Sequence, residues 1–91
     1  MLDIPDWEDQ DEEFAVLRDW MYEYLRINER LSRHSAMTYI SSFRILFYEN
    51  LLNSDKDELE EFLDRRGYIT PTKTKFRRVW KIYNEVYWVR K

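Results

Sequence analysis

Apolar residues recur three and four positions apart in four separate stretches of this 91-residue chain, and the sharpest of them is also a basic one. Ala36, Tyr39, Ile40, Phe43, Leu46 and Phe47 line up on one side of a helix, with Ser32 placed to cap its start. That spacing predicts a helix beginning after Ser32 and ending near Asn50 or Asn53. A first helix is expected from about Asp11 to Asn28, burying Phe14, Leu17, Met21, Tyr24 and Leu25. Asn53-Ser54-Asp55 reads as a turn, so a third helix should run from about Asp55 or Lys56 to Arg66, where Gly67 suits a left-handed stop. Thr70-Pro71 is a start signal, with Thr70 as cap and Pro71 at the first helical position. The fourth stripe is then Phe76, Val79, Trp80, Tyr83, Val86 and Tyr87, which leaves Trp88 and Val89 off the core face.

One Gly and two Pro leave little material for hairpins, so the pattern implies an all-α fold, a four-helix bundle, in a single domain. Without Cys there is no disulfide and no thiolate metal site, and a cytoplasmic, intracellular compartment is expected. No apolar run approaches the roughly 18 residues of a membrane span, and the acidic opening is unlike a secretory signal.

The net charge of −3 conceals strongly opposed blocks. Residues 1–25 carry nine acids and one base, and residues 49–64 seven acids and one base. Residues 26–48 carry four bases and one acid, and residues 65–91 nine bases and one acid. Where charge sits, rather than its sum, decides where a polyanion docks. The plainer alternative is that acidic and basic helices attract one another inside the bundle. Residues 1–13 read as an acidic arm or short extra turn whose carboxylates suit the positive end of the helix that follows; the alternatives are that its apolar anchors Ile4 and Trp7 dock on a partner or that its acids mask the basic surface.

Several of these spacings resemble a known family. Ser32-x-x-Ser35-x-x-x-Tyr39-x-x-x-Phe43-x-x-Leu46 is similar to the second helix of the core-binding, SAM-like domain of tyrosine recombinases, the phage-type integrases. That family usually reads Ser-x-x-Thr-x-x-x-Tyr-x-x-x-Leu-x-x-Phe, so Ser35, Phe43 and Leu46 are departures of size or shape. Trp20-x-x-x-Tyr24-Leu25 leading into Arg30-Leu31-Ser32 resembles the first helix and its exit. Leu59-x-x-Phe62-Leu63 with Gly67 fits the third, and Thr72-x-x-Lys75-Phe76-x-x-Val79 the fourth. The likeness covers residues 14–90 and implies a SAM-like orthogonal bundle whose second and fourth helices lie against duplex DNA.

Candidate DNA contacts are therefore Arg33, His34, Ser35, Ser41 and Arg44 on the second helix, with Thr72, Lys73, Lys75, Arg77, Arg78 and Lys81 on the fourth. Arg and Lys neutralise phosphates, Arg also reads guanine, and a helix start offers free amides to an anion. Catalysis is not expected. His34 is the only His, a single Gly permits no phosphate loop, and the Arg, His and Tyr constellation of the recombinase catalytic domain is missing. The expected partners are duplex DNA and, beyond it, a catalytic domain or other recombinase protomers, with no cofactor, metal, membrane or small-molecule substrate. The chain is expected to be a piece of an integrase or a free-standing protein using its helical module. The competing function class is a small protein-interaction or regulatory domain, viral or plasmid-borne.

Overall fold

In a computed structural model, residues 5, 7 and 11–88 are described, and the first three helices each start where a side chain satisfies an early amide. Asp11 caps α1 (Glu12–Ile27), its carboxylate accepting from the Glu13 and Phe14 amides at 3.0 and 3.2 Å. Ser32 caps α2 (Arg33–Tyr48) through the Ser35 amide at 3.2 Å, and Asp55 caps α3 (Lys56–Arg66) through the Glu58 amide at 2.8 Å. Gly67 closes α3 at φ +68°, the left-handed conformation that side chains resist. α2 stops two residues earlier than its earliest expected end, because Asn50 turns the chain at φ +57° and Leu51 bonds back to the Leu46 carbonyl.

The start of α4 (Thr70–Ile82) differs from the sequence expectation. Thr70 is not the cap. Ile69 holds the extended capping position, and its carbonyl receives the Lys73 amide at 3.0 Å, so the first helical bond forms one residue earlier. Pro71 still falls in the first turn, where its missing N–H would have lacked a helical acceptor. The end of α4 differs too. It widens into a π-helical turn over Tyr83–Tyr87, and Asn84 Nδ2 donates to the carbonyls of Trp80 and Leu52, both at 2.9 Å. In that turn the Trp88 amide reaches the Tyr83 carbonyl at 3.2 Å, so Trp88 lies one turn above Tyr83. Its indole edge meets Tyr83, and its Nε1 donates to Asn53 at 3.1 Å. Trp88 nevertheless stays exposed and off the core face, as the stripe implies, with these two contacts at its edge; Val89 lies outside the described residues.

The architecture is all-helical, with no strand among the described residues. α1 and α2 form a hairpin, closed where Phe14 packs on Phe43 and Phe47. α4 runs antiparallel to α1, since Trp20 meets Tyr87 while Glu29, just past α1, meets Arg78. It also runs antiparallel to α3, as the pairs Glu60–Arg77 and Asp64–Lys73 show. Phe14, Met21, Leu25, Ala36, Ile40, Phe43, Leu46, Leu59, Leu63 and Val79 are fully enclosed. Leu17, Tyr24, Tyr39, Phe47, Trp80, Val86 and Tyr87, expected inside, are only partly buried. For Tyr39 and Trp80 the reason is a polar tip: one hydroxyl meets Arg78 and one indole N–H reaches the Ser54 carbonyl, both near the surface. Tyr22, Leu52 and Ile82 fill the core in addition, and Trp7 of the arm packs edge-on against Tyr22 at 5.8 Å. Trp7 is an internal anchor; Ile4 lies outside the described residues.

Truncating Phe43 to Ala should cost on the order of 3–5 kcal/mol in a urea titration, as large core aromatics do. Gly67→Ala should cost about 1 kcal/mol through backbone strain alone, since an added Cβ would meet nothing within 4 Å.

Candidate nucleic-acid interface

α2 contains Arg33 and Arg44 and no acid; α4 contains Lys73, Lys75, Arg77, Arg78 and Lys81 and no acid. These two helices are packed against each other, with Arg78 and Tyr39 at their junction: the guanidinium lies 5.3 Å from the ring and donates to its hydroxyl at 3.2 Å. The fold therefore brings two helices from separated basic blocks of sequence into contact. The first turns of α1 and α3 carry Glu12, Glu13, Asp57 and Glu58, favourable at the positive end of a helix. Neither α2 nor α4 has an acid in its first turn.

On α2, Arg33, His34 and Ser41 are exposed, and Ser35 and Arg44 are half-buried. Ser35 accepts a bond from the Ser32 hydroxyl at 3.1 Å, and the Ser41 hydroxyl donates to the Met37 carbonyl at 3.3 Å. Arg44 lies over the Phe14 ring, 5.6 Å from its centroid, which draws its stem onto the core edge.

The candidates on α4 are engaged more deeply than the sequence implied. Lys73 donates to Asp64 at 2.7 Å, and Arg77 grips Glu60 with two bonds of 2.7 Å. Arg78 holds Glu29 through bonds of 2.9 and 2.6 Å. Lys81 and Glu85 approach only to 3.9 Å, one turn apart. Lys75, one turn before Arg78, has no ion pair among the described residues, and Thr72 is half-buried beside it in sequence order. So the basic helix is both glue and surface: its Arg77 and Lys73 side binds α3, its Arg78 side closes on Glu29 and Tyr39, and Lys75 stays unclaimed. Of these partners, Glu60 and Asp64 read from the sequence as a solvated pair on the third helix, and Glu29 was not singled out. A signal for two of them existed, since Glu60 and Asp64 share the four-residue spacing of Lys73 and Arg77.

The electrostatics follow the bonds. The Arg77 hydrogen bond holds the Glu60 carboxyl below its ordinary value, and the Lys73 hydrogen bond does the same for Asp64. Arg77 and Arg78 are shifted upward by Glu60 and by Glu29 with Tyr39, which leaves both charged under all ordinary conditions.

No group of His, Asp or Glu able to hold a metal occurs among the described residues, and none of their helices is long and apolar enough to cross a membrane. Comparison of the chain with protein-family models, curated proteins and solved structures finds no match.

Two measurements follow. Carboxyls with lowered folded values lend stability that is complete above their unfolded values, roughly pH 4, and lost as pH falls through the folded ones. Glu60→Gln with Asp64→Asn should therefore flatten the acid limb of a melting-temperature profile and leave its shape above pH 6 unchanged. Arg78→Ala should cost on the order of 1–2 kcal/mol, having lost two charged, partly exposed hydrogen bonds to Glu29. Lys75→Ala should stay within about 0.5 kcal/mol of the parent.

Proposed function

We propose that this chain is a duplex DNA-binding module of the SAM-like, core-binding type found in tyrosine recombinases, acting as a binding domain rather than an enzyme. The observation that carries the reading is the packing of the two acid-free helices, α2 and α4, side by side at Tyr39 and Arg78. Two basic helices in contact can follow a phosphate backbone while one of them enters the major groove. The sequence likeness to the core-binding domain, in which the corresponding helices face DNA, supports the same assignment.

Within that surface the ion pairs rank the residues. Lys75 leads, because no carboxylate competes for it, and Arg33, His34, Ser35, Ser41, Arg44 and Thr72 extend the contact along both helices. Lys73, Arg77 and Arg78 contribute only the donors their carboxylates leave exposed; their first role is to position α4. Lys81 lies at the far edge beside Glu85. A catalytic domain or further protomers of a recombinase would complete the clamp around DNA.

Salt dependence tests the reading. Binding to a 20-base-pair duplex should weaken with a log–log slope of about −0.9 per phosphate contacted, with roughly micromolar or poorer affinity for this half-clamp at physiological salt. Lys75→Glu should reduce the steepness of that slope by about one contact and leave thermal unfolding unchanged. Absence of duplex binding at 20 mM salt overturns the proposal and favours a protein-interaction domain, for which the exposed Val16, Ile27 and Ile69 would be the first surface to probe.

A further inference from the structure

The salt bridges between α3 and α4 form a ladder with a regular step, and its third rung is wrong in sign. Asp64 pairs with Lys73, and Glu60 pairs with Arg77 one turn away. In antiparallel helices the next rung, another four residues along each, brings Lys56 opposite Lys81. Both line one cleft of about 400 Å³, floored by Leu59 and Trp80 and bordered by Arg77, Asn84 and the carboxylates of Glu60 and Glu85. Lys56 carries a second penalty, since it is the first residue of α3 and sets a cation against the positive end of the helix dipole. It has no ion pair among the described residues, and Lys81 has only the 3.9 Å contact with Glu85 in its own helix. Glu60 is committed to Arg77 and Glu85 reaches Lys81 only at 3.9 Å, so the two lysines leave this rung with a net positive charge that an anion would balance.

We propose that this cleft binds a nucleoside monophosphate unit, with its phosphate between Lys56 and Lys81 and its base against Trp80. The Trp80 indole is pinned by its 3.3 Å bond to the Ser54 carbonyl, so the ring is a fixed platform rather than a mobile one. Base stacking on a tryptophan is tolerant of base identity and suits a flat heterocycle better than an aliphatic acid. Asn84 spends both donors of Nδ2 on the Trp80 and Leu52 carbonyls, and its Oδ1 remains to accept from a base amino group. The cleft lies near the lower bound of ligand pockets, about 300 Å³, and so suits one nucleotide rather than several. That unit is either a free nucleotide or an unpaired nucleotide within a strand. The site uses the α3 side of α4 and does not depend on duplex binding through Lys75.

The test titrates the full chain with 2′-deoxyadenosine 5′-monophosphate, with deoxyadenosine, with inorganic phosphate and with a short acidic peptide, following the indole N–H signals by NMR. Single-strand and duplex forms of one 5′-phosphorylated oligonucleotide separate the bound sources. The nucleotide should shift the Trp80 signal and bind at least tenfold more tightly than the nucleoside or phosphate alone. Lys56→Glu supplies the missing acid–base rung, so it should raise the melting temperature by a few degrees and weaken nucleotide binding at least tenfold. Because that variant becomes more stable, the loss cannot be assigned to unfolding. Lys75→Glu should leave nucleotide binding unchanged. Nucleotide binding that survives Lys56→Glu, no shift at 10 mM nucleotide, or tighter binding of the acidic peptide would each overturn the proposal.

Discussion

Everything in this fold meets at α4. It touches α1 through Tyr87 and Trp20, α2 through Tyr83 and Phe43, and α3 through Phe76 and Phe62, so one helix closes three interfaces at once. A helix in that position has little circumference left for water. Its charged residues must emerge at the borders between interfaces, and there they meet the carboxylates of the elements they border. Arg77 and Lys73 emerge toward α3, and Arg78 emerges toward Glu29 and Tyr39. Their ion pairing is thus a geometric consequence of how α4 is buried.

That placement decides which energies matter. Exposed ion pairs contribute roughly 0–1 kcal/mol each, whereas enclosing a residue such as Phe43 or Phe76 is worth several times more. The hydrophobic contacts hold the bundle, and the rim pairs orient α4 within it. A phosphate approaching Arg77 or Arg78 must displace a carboxylate bound through two hydrogen bonds, while one approaching Lys75 displaces only water. Equal formal charges along the same helix are therefore unequal as anion contacts, and the net charge of a block overstates the charge available to a ligand.

The sequence made the four helices legible because caps and apolar periods agreed: Asp11, Ser32 and Asp55 each accept amide bonds at helix starts, and Gly67 stops α3. It missed the α4 boundary because Thr70 and Ile69 compete for the cap on backbone geometry, and a Thr before Pro looks like a cap whether or not its hydroxyl bonds. Of the site, residue types and helices were readable, since both depend on local pattern. The pairing of Glu29 with Arg78 was not, because the two are far apart in sequence and meet only once α1 and α4 are antiparallel. Burial of aromatics was overestimated for a related reason: periodicity reports the direction of a ring but not whether its polar tip finds a partner at the surface.

The π-helical turn shows how far such a local departure reaches. Seven tyrosines and four tryptophans crowd a chain of 91 residues, and a strictly α-helical α4 would carry Trp88 one turn above Asn84. The wider turn sets Trp88 above Tyr83 instead, stacks Tyr83 on Tyr87 at 5.2 Å, and brings Tyr87 to Trp20. The Trp80 carbonyl receives the Tyr83 amide, and Asn84 adds its side-chain amide while also tying down the α2–α3 connection at Leu52. Asn84 thereby fixes both the phase of the last turn and the wall of the cleft beside Trp80. The same side chain links the packing of the aromatic end to the geometry of the Lys56–Lys81 rung, so the shape of that cleft is set by a hydrogen bond made for the fold.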